Sequence, residues 1–270
     1  MKVWAIGDLH LSGANPKPME IFGEQWKNHD EKISTAWRDM VATDDLVIVA
    51  GDTSWAMKLR EAIIDLEWLA RLPGRKVLIR GNHDYWWNSL SKMRNIAPES
   101  IEFIHNSAVR VNNVVVAGTR GWMLPPIDEK GREKQEKRRR GKPFFSPLHL
   151  SVGEGVESGD WTENDEKILA REIGRLTLSL DAAQKLSDID CTLLVAIHYP
   201  PIYPDGTDSP FTNLIEQYEP KAVVYGHLHV ANPDEVGGAF RPEGFEGQRG
   251  PTHYRLVSAD YLCFQPVRIL

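Results

Sequence analysis

Cysteine is nearly missing from this 270-residue chain, which holds only Cys191 and Cys263. Two are too few for a disulfide framework. Each sits in an apolar run, so both read as buried free thiols. Long apolar stretches are missing too, and no run approaches the length of a membrane span. Positive charge is in deficit, with a formal balance of −6. That balance argues against general binding to nucleic acid or to an anionic membrane. The opening MKVWAIGDLH reads as a strand with polar residues at its end and leaves no room for a cleavable signal, so cytoplasmic residence is the expectation. No internal repeat is visible. The rest of the composition is that of an ordinary globular protein, 41% hydrophobic and 26% charged, long enough to bury a substantial core.

Short apolar runs alternate with amphipathic segments, the pattern of an α/β protein. The runs are KVWAIG, LVIVAG, KVLIRG, NVVVAG, CTLLVAI and KAVVYG, rich in valine and isoleucine and reading as buried on both faces. Between the first two, Ile33, Trp37, Met40 and Val41 share one face of a helix. KLREAIIDLEWLARL is a second amphipathic helix, stopped by Pro73-Gly74. A long helix is expected from about Thr162 to Leu186, opened by a capping box of Thr162 and Asp165. The closing HYRLVSADYLCFQPVRIL reads as two strands with a turn near Ala259-Asp260. The whole, 1–270, is expected to be a single domain with a surface insertion at about 125–160, rich in proline, glycine and charge. Within that insertion Glu129–Lys142 holds eight basic and three acidic residues, +5 locally against −11 for the rest. A second glycine- and proline-rich loop is expected over Asn232–Gly250.

The chemistry lies just beyond the ends of these runs. Asp8-Leu9-His10 comes after the first, Asp52 after the second, Asn82-His83-Asp84 after the third, His198 after the fifth and His227-Leu228-His229 after the sixth. Asp8 and Asp52 are 44 residues apart, Asp52 and Asn82 are 30 apart, and His198 and His227 are 29 apart. A strand-helix-strand unit needs roughly 30 residues or somewhat more, so each step can return the chain to the same sheet edge. Ligands of open α/β sheets bind beyond the carboxyl ends of the strands, so these side chains should converge. Glycine before Asp8, Asp52, Asn82 and His227 would let the backbone turn sharply. Two carboxylates, one amide oxygen and four imidazoles make a mixed N/O set without thiolate, suited to Mn, Fe, Zn or Co. Seven ligands exceed what one catalytic zinc uses, which implies two adjacent divalent ions.

The ordered blocks D-x-H (Asp8/His10), G-D (Gly51-Asp52), G-N-H-D (Gly81–Asp84), H (His198) and G-H-x-H (Gly226–His229) resemble the calcineurin-like metallophosphoesterase superfamily, across residues 8 to 229. The resemblance implies a two-sheet β-sandwich flanked by helices, a four-layer α/β/β/α fold. It implies that Asp8, His10 and His229 hold one ion, that Asn82, His198 and His227 hold the other, and that Asp52 bridges them. It also implies hydrolysis of a phosphomonoester or phosphodiester by a hydroxide bridging the metals, manganese being the first choice. His83 resembles the family's non-ligand histidine and would assist the leaving group. Asp84 would orient the loop by accepting backbone hydrogen bonds. The G-D block reads Gly51-Asp52-Thr53-Ser54-Trp55-Ala56-Met57 and lacks the second aspartate and the arginine of protein Ser/Thr phosphatases. The match is therefore to a stand-alone bacterial-type phosphohydrolase acting on a small phosphoester.

Other residues carry open readings. Arg120 either contacts substrate phosphate or forms a surface salt bridge. Arg80 either does likewise or pairs with a carboxylate beneath the site. Trp86 and Trp87 read as one core ring and one partly exposed ring. His29, His105, His149 and His253 are assigned to surface or structure. The basic loop at 129–142 is a solvated segment, or it draws anionic substrate toward the metals and leaves room for a nuclease-type phosphodiesterase. A catalytically inactive scaffold of the same fold is the remaining alternative, disfavoured because all seven ligands are kept.

Overall fold

Valine- and isoleucine-rich runs pack best on a pleated, buried surface, and they build two sheets in the computed structural model, which describes residues 1–127, 161–230 and 244–270. In the first sheet β1 (Val3–Ile6), β2 (Leu46–Val49), β3 (Arg75–Leu78) and β4 (Ile101–Phe103) run parallel in that order. The last strand, β11 (Val267–Arg268), closes the other edge antiparallel to β1. In the second sheet β5 (Ala108–Val111) pairs antiparallel with β6 (Val114–Thr119). β6 is followed by parallel β7 (Thr192–Ile197), β8 (Ala222–Tyr225) and β10 (Thr252–Leu256), with β9 (Gly247–Arg249) antiparallel at the edge.

Alternation along the strands sets the layers, since successive side chains point to opposite faces. Val3, Ala5, Leu46, Ile48 and Val77 point inward against Val114, Val116, Leu194, Ala196 and Val224 of the other sheet. Trp4, Ile6, Val47, Val49 and Leu78 point outward beneath α1 (His29–Met40) and α2 (Leu59–Ala70), meeting Ile33, Trp37, Leu66 and Leu69. On the opposite flank Val115, Ala117, Val195 and Ile197 meet Leu169, Leu176, Leu180 and Phe211. Those four come from the helices α4 (Glu163–Leu186) and α5 (Pro210–Ile215). A short α3 (Leu90–Arg94) precedes β4. The result is helix, sheet, sheet, helix, the four layers expected. Each fully buried valine, leucine or isoleucine contributes about 1.5–3 kcal/mol, and all three cores depend on the period-2 pattern.

Local chemistry fixes the helix ends. Thr162 Oγ1 accepts from Asp165 N at 3.2 Å while Asp165 Oδ2 accepts from Thr162 N at 3.0 Å, the expected capping box. α2 ends before Pro73-Gly74, where Gly74 sits at φ +84°. Its terminal carbonyls are served by the buried Lys76, whose ammonium donates to the carbonyl oxygens of Leu72 and Ala70.

Several expectations need correcting. Cys191 is half-buried and Cys263 exposed, because the first follows α4 at the surface and the second lies in the final turn. Trp86 and Trp87 are both buried: they pack on each other and on Phe103, and Trp87 Nε1 donates to His105 Nδ1 at 3.0 Å. Val41 is buried but lies just past the end of α1, in extended backbone. The end of the presumed 232–250 loop is strand β9, held by Arg249, which pairs with Glu216 at 2.8 Å. Residues 231–243 of that loop, residues 128–160 of the insertion, the basic run and His149 lie outside the described residues. The two closing strands belong to different sheets, so the turn between them crosses the sandwich edge. Among the described residues no helix is long and apolar enough to cross a membrane.

Candidate metal centre

All parallel strands of both sheets end at one rim, and the segments leaving β1, β2, β3, β7 and β8 bring the expected side chains there. The backbone is unusual at this point. Asp8, His10, Asp52 and His227 have φ of +57°, +47°, +50° and +72°, and Gly51 has +90°. Left-handed conformations of non-glycine residues cost of order 1–3 kcal/mol each and persist only where the surroundings enforce them. Here neighbouring strand ends do so: Asp8 N donates to Gly51 O at 2.9 Å and His10 N to Asp52 O at 3.0 Å. Gly81 needs its missing side chain for close approach, not for a turn: a Cβ there would collide with the Asp52 carboxylate. At Gly51 a Cβ would meet His198 Nδ1 at 2.6 Å in addition to the positive φ.

Two groups of ligand atoms form. Asp8, His10 and His229 come together, with His10 Nε2 and His229 Nε2 3.4 Å apart and Asp8 Oδ1 3.7 Å from His229 Nε2. Asp8, Asp52 and His198 form the second group, with His198 Nε2 3.4 Å from Asp52 Oδ2. Asn82 Oδ1 lies 2.6 Å from His198 Nε2 and 3.1 Å from His227 Nδ1. Asp52 Oδ2 is also 3.9 Å from His10 Nε2, so its carboxylate stands between the two groups. All seven candidate ligands therefore gather at one rim, with Asp8, Asp52, His10 and His198 buried.

The donor set fits a divalent cation. His198 Nδ1 donates to Ala50 O at 2.9 Å, and His229 Nδ1 donates to Asp260 Oδ1 at 3.1 Å. Each ring thus presents Nε2 to the basin, the arrangement by which an outer partner fixes the tautomer of a ligating imidazole. Two Nε2 atoms facing one another, and two ring nitrogens facing one amide oxygen, would be mutually repulsive lone pairs without a proton or a cation between them. In the absence of a cation the groups share protons instead. Burial works against a charged His198, but the Asp52 carboxylate prevails and pushes the imidazole up to about 9. His229 is likewise pushed up to about 9, Asp260 outweighing burial. Burial opposes ionisation of Asp52 too, yet His198, His10 and His83 hold it far below the carboxylate range. Burial raises Asp8 to about 6. His10 and His227 are kept neutral, chiefly by burial.

His83 stands beside this basin. Its backbone N–H donates to Asp52 Oδ1 at 2.8 Å, and its ring lies 4.4 Å from Trp55 and 5.7 Å from His10. Among the described residues no carboxylate hydrogen-bonds the ring, and its buried Nδ1 has no partner. Burial lowers its pKa against the pull of Asp52, so the ring is neutral. Asp84 accepts from Gly81 N (2.8 Å), Thr53 N (2.9 Å), Ser54 N (3.2 Å) and Trp86 Nε1 (3.0 Å), joining the two loops that carry Asp52 and Asn82. Arg120 forms the salt bridge of its two readings, set below the surface and not on it: its guanidinium reaches the buried Glu172 at 3.4 Å and lies over Trp122. Arg80 feels the carboxylates of Asp84 and Glu172 but forms no close ion pair with either among the described residues.

Sequence reasoning missed Asp260, Trp55 and Tyr199. Trp55 stacks on His10 (4.9 Å, 24°) and Tyr199 on His227 (4.1 Å). Asp260 sits in a turn rather than at a strand end, so strand-end spacing could not find it; its one signal is a carboxylate inside the otherwise apolar closing run.

This rim belongs to a phosphoesterase architecture. The chain is a member of the calcineurin-like phosphoesterase family, whose family model matches residues 1–231. It is 35% identical over 81 residues to the Gene 66 protein of Mycobacterium phage L5, and 38% identical over 82 residues to that of phage D29. These matches span 30% of this chain and only 39% and 40% of the phage proteins' lengths. The crystal structure of phosphopantetheinyl hydrolase from Mycobacterium tuberculosis has a similar fold, with a TM-score of 0.50 at 16% identity, covering 96% of this chain and 89% of that one.

Proposed function

We propose that the chain is a phosphohydrolase that works with two divalent ions, manganese first among them. Asp8, His10 and His229 hold one ion, Asn82, His198 and His227 the other, and Asp52 lies between. The observation that carries this reading is the convergence of seven oriented N and O ligands at one rim, two of their rings fixed from behind by Ala50 O and Asp260. Ions bound there would acidify a shared water and neutralise phosphate oxygens.

The chain's own residues do the rest. Asp52 orients the His83 segment through the 2.8 Å bond from its backbone N–H. His83, neutral and next to the basin, donates a hydrogen bond or proton to the departing oxygen, worth about 10²–10⁴-fold for a poor leaving group. Trp55 keeps the His10 and His83 rings in place by packing against both. Positioning and charge neutralisation carry most of the catalysis, because phosphoryl transfer asks little covalent chemistry of the protein.

The test is a panel of esters with added manganese, zinc, iron or cobalt: para-nitrophenyl phosphate, its bis-ester, and plasmid or oligonucleotide. Metal-dependent turnover of a small ester that Asp52→Asn removes supports the reading. Cleavage of nucleic acid alone would replace it with a nuclease, and full loading with metal but no turnover of any ester would leave a scaffold.

A further inference from the structure

A second cleft opens on the same rim, small and solvent-connected, about 30 Å³ in volume. Its lining includes Arg80, Arg120, Arg175, Glu172, His105 and Trp87. Three guanidinium groups surround one fully buried carboxylate. Glu172 Oε1 accepts from Arg175 Nη1 at 2.6 Å and Arg120 Nη2 at 3.4 Å, while Oε2 accepts from Thr119 Oγ1 at 2.9 Å. Both carboxylate oxygens are therefore engaged, and neither pairs with Arg80 among the described contacts. Asp84, the other acid near Arg80, accepts from Gly81, Thr53, Ser54 and Trp86 and attracts Arg80 without hydrogen-bonding it.

Among the described residues Arg80 finds no acceptor, and the Nε atoms of Arg80 and Arg120 are buried without a partner. Buried donors without acceptors are rare, and each asks for an unseen water or ion. The like charges of Arg120 and Arg175 crowd Arg80, offset in part by Asp84 and Glu172. His105 adds a donor: its Nδ1 accepts from Trp87, leaving the proton of the neutral ring on Nε2. A structural ion-pair network would balance its charges. This one keeps an excess of two positive groups facing an opening.

The cleft is tied to the metal centre through the backbone. Arg80 lies two residues before Asn82, and Arg120 O accepts the backbone N–H of His198 at 3.1 Å and of Tyr199 at 3.0 Å. We propose that the cleft is a second anion subsite, holding a further phosphate on the same substrate whose ester is placed at the metal centre. This rests on the hydrolase reading above, and narrows its substrates to phosphoesters that carry a second phosphate. Guanidinium forks match phosphate oxygens bidentately, which suits the three arginines to that group.

Two measurements test it. With manganese-loaded protein, kcat/KM is compared for para-nitrophenyl phosphate and a nucleoside 3′,5′-bisphosphate, in wild type, Arg80→Gln and Arg175→Gln. The wild type should prefer the bisphosphate, and each substitution should cut that preference about 10-fold or more through KM, the scale of a lost charged hydrogen bond. Separately, protein stripped with EDTA is melted with and without inorganic phosphate, in wild type and in Arg80→Gln, so that the substitution distinguishes the cleft from the protonated imidazoles of the empty basin. Phosphate should raise the melting temperature of wild type and leave that of Arg80→Gln unmoved. Arg80→Gln is the decisive variant, since Arg80 supports no described hydrogen bond whose loss would unfold the chain. Protection lost in Arg80→Gln without turnover of any ester would retire the hydrolase and leave an anion site alone. No protection in wild type, protection that survives the substitution, or an unchanged substrate preference overturns the subsite.

Discussion

Two neighbouring clefts of opposite polarity share the rim of this sandwich. In one, Asp8 and Asp52 are buried among four imidazoles; in the other, Glu172 is buried among three arginines. The segment leaving β3 serves both, and they differ in what surrounds the carboxylates. Imidazoles give up their protons to a metal, so the first cleft can exchange protons for cations. Guanidinium groups keep their charge, so the second can only gather anions. The difference shows that the fold supplies the place, and side-chain basicity decides what binds.

The largest test of that contrast is Asp52→Asn. It should lower kcat/KM by about 10³-fold or more and reduce the bound metal measured by atomic emission, because it removes several kcal/mol of charge stabilisation between the two ligand groups. Phosphate protection at the arginine cleft should survive; loss of both would show that the clefts are not separate. Next comes His83→Ala, which should cost about 10²–10⁴-fold on esters with poor leaving groups and much less on para-nitrophenyl phosphate. Its metal content should be that of wild type, and an equal loss on both ester types would count against leaving-group assistance.

Asp260→Asn should weaken metal binding about 10–100-fold, the usual effect of removing the carboxylate behind a ligating histidine. Titration should show the loss in one of two binding events, that of the Asp8/His10/His229 group. The smallest effect concerns pH. In metal-free protein the raised pKa values of His198 and His229, about 9 in both, mean that their charged pairs stabilise the fold below about pH 6.5 and lose that contribution as pH rises through about 9. Metal must displace those same protons, so its affinity should rise over the same window. Melting curves from pH 6 to 9 should therefore fall without manganese and hold or rise with it. Parallel curves would contradict the proton–cation exchange.

Much of this was legible in the sequence because it obeys local rules. Continuous apolar runs in VWAI, LVIV and VVVAGT, buried on both faces, set both sheets, and Thr162/Asp165 marks a helix start that the structure reproduces to the residue. Glycine-flanked polar residues at strand ends place the seven candidate ligands. The features that stayed hidden depend on distant pairings. β4 is three residues long and β5 alternates exposed Arg110 with buried Val109 and Val111, so neither gives a continuous apolar run. Asp260 matters only because β10 and β11 lie in different sheets and send the turn between them past His229. Glu172 and Arg175 look like one face of an amphipathic helix until α4 sets them beside Arg80 and Arg120. Glycine was expected to bend the chain before Asp8, Asp52, Asn82 and His227, and at Gly81 its true service is to admit the Asp52 carboxylate.

Asp84 acts as a gauge block. By clamping the turn after β2 to the turn after β3, it sets how far Asp52 stands from Asn82. The gap between these two candidate ligands is thereby a property of the polypeptide, and any ion of unsuitable radius would have to strain a prefabricated frame instead of reshaping it.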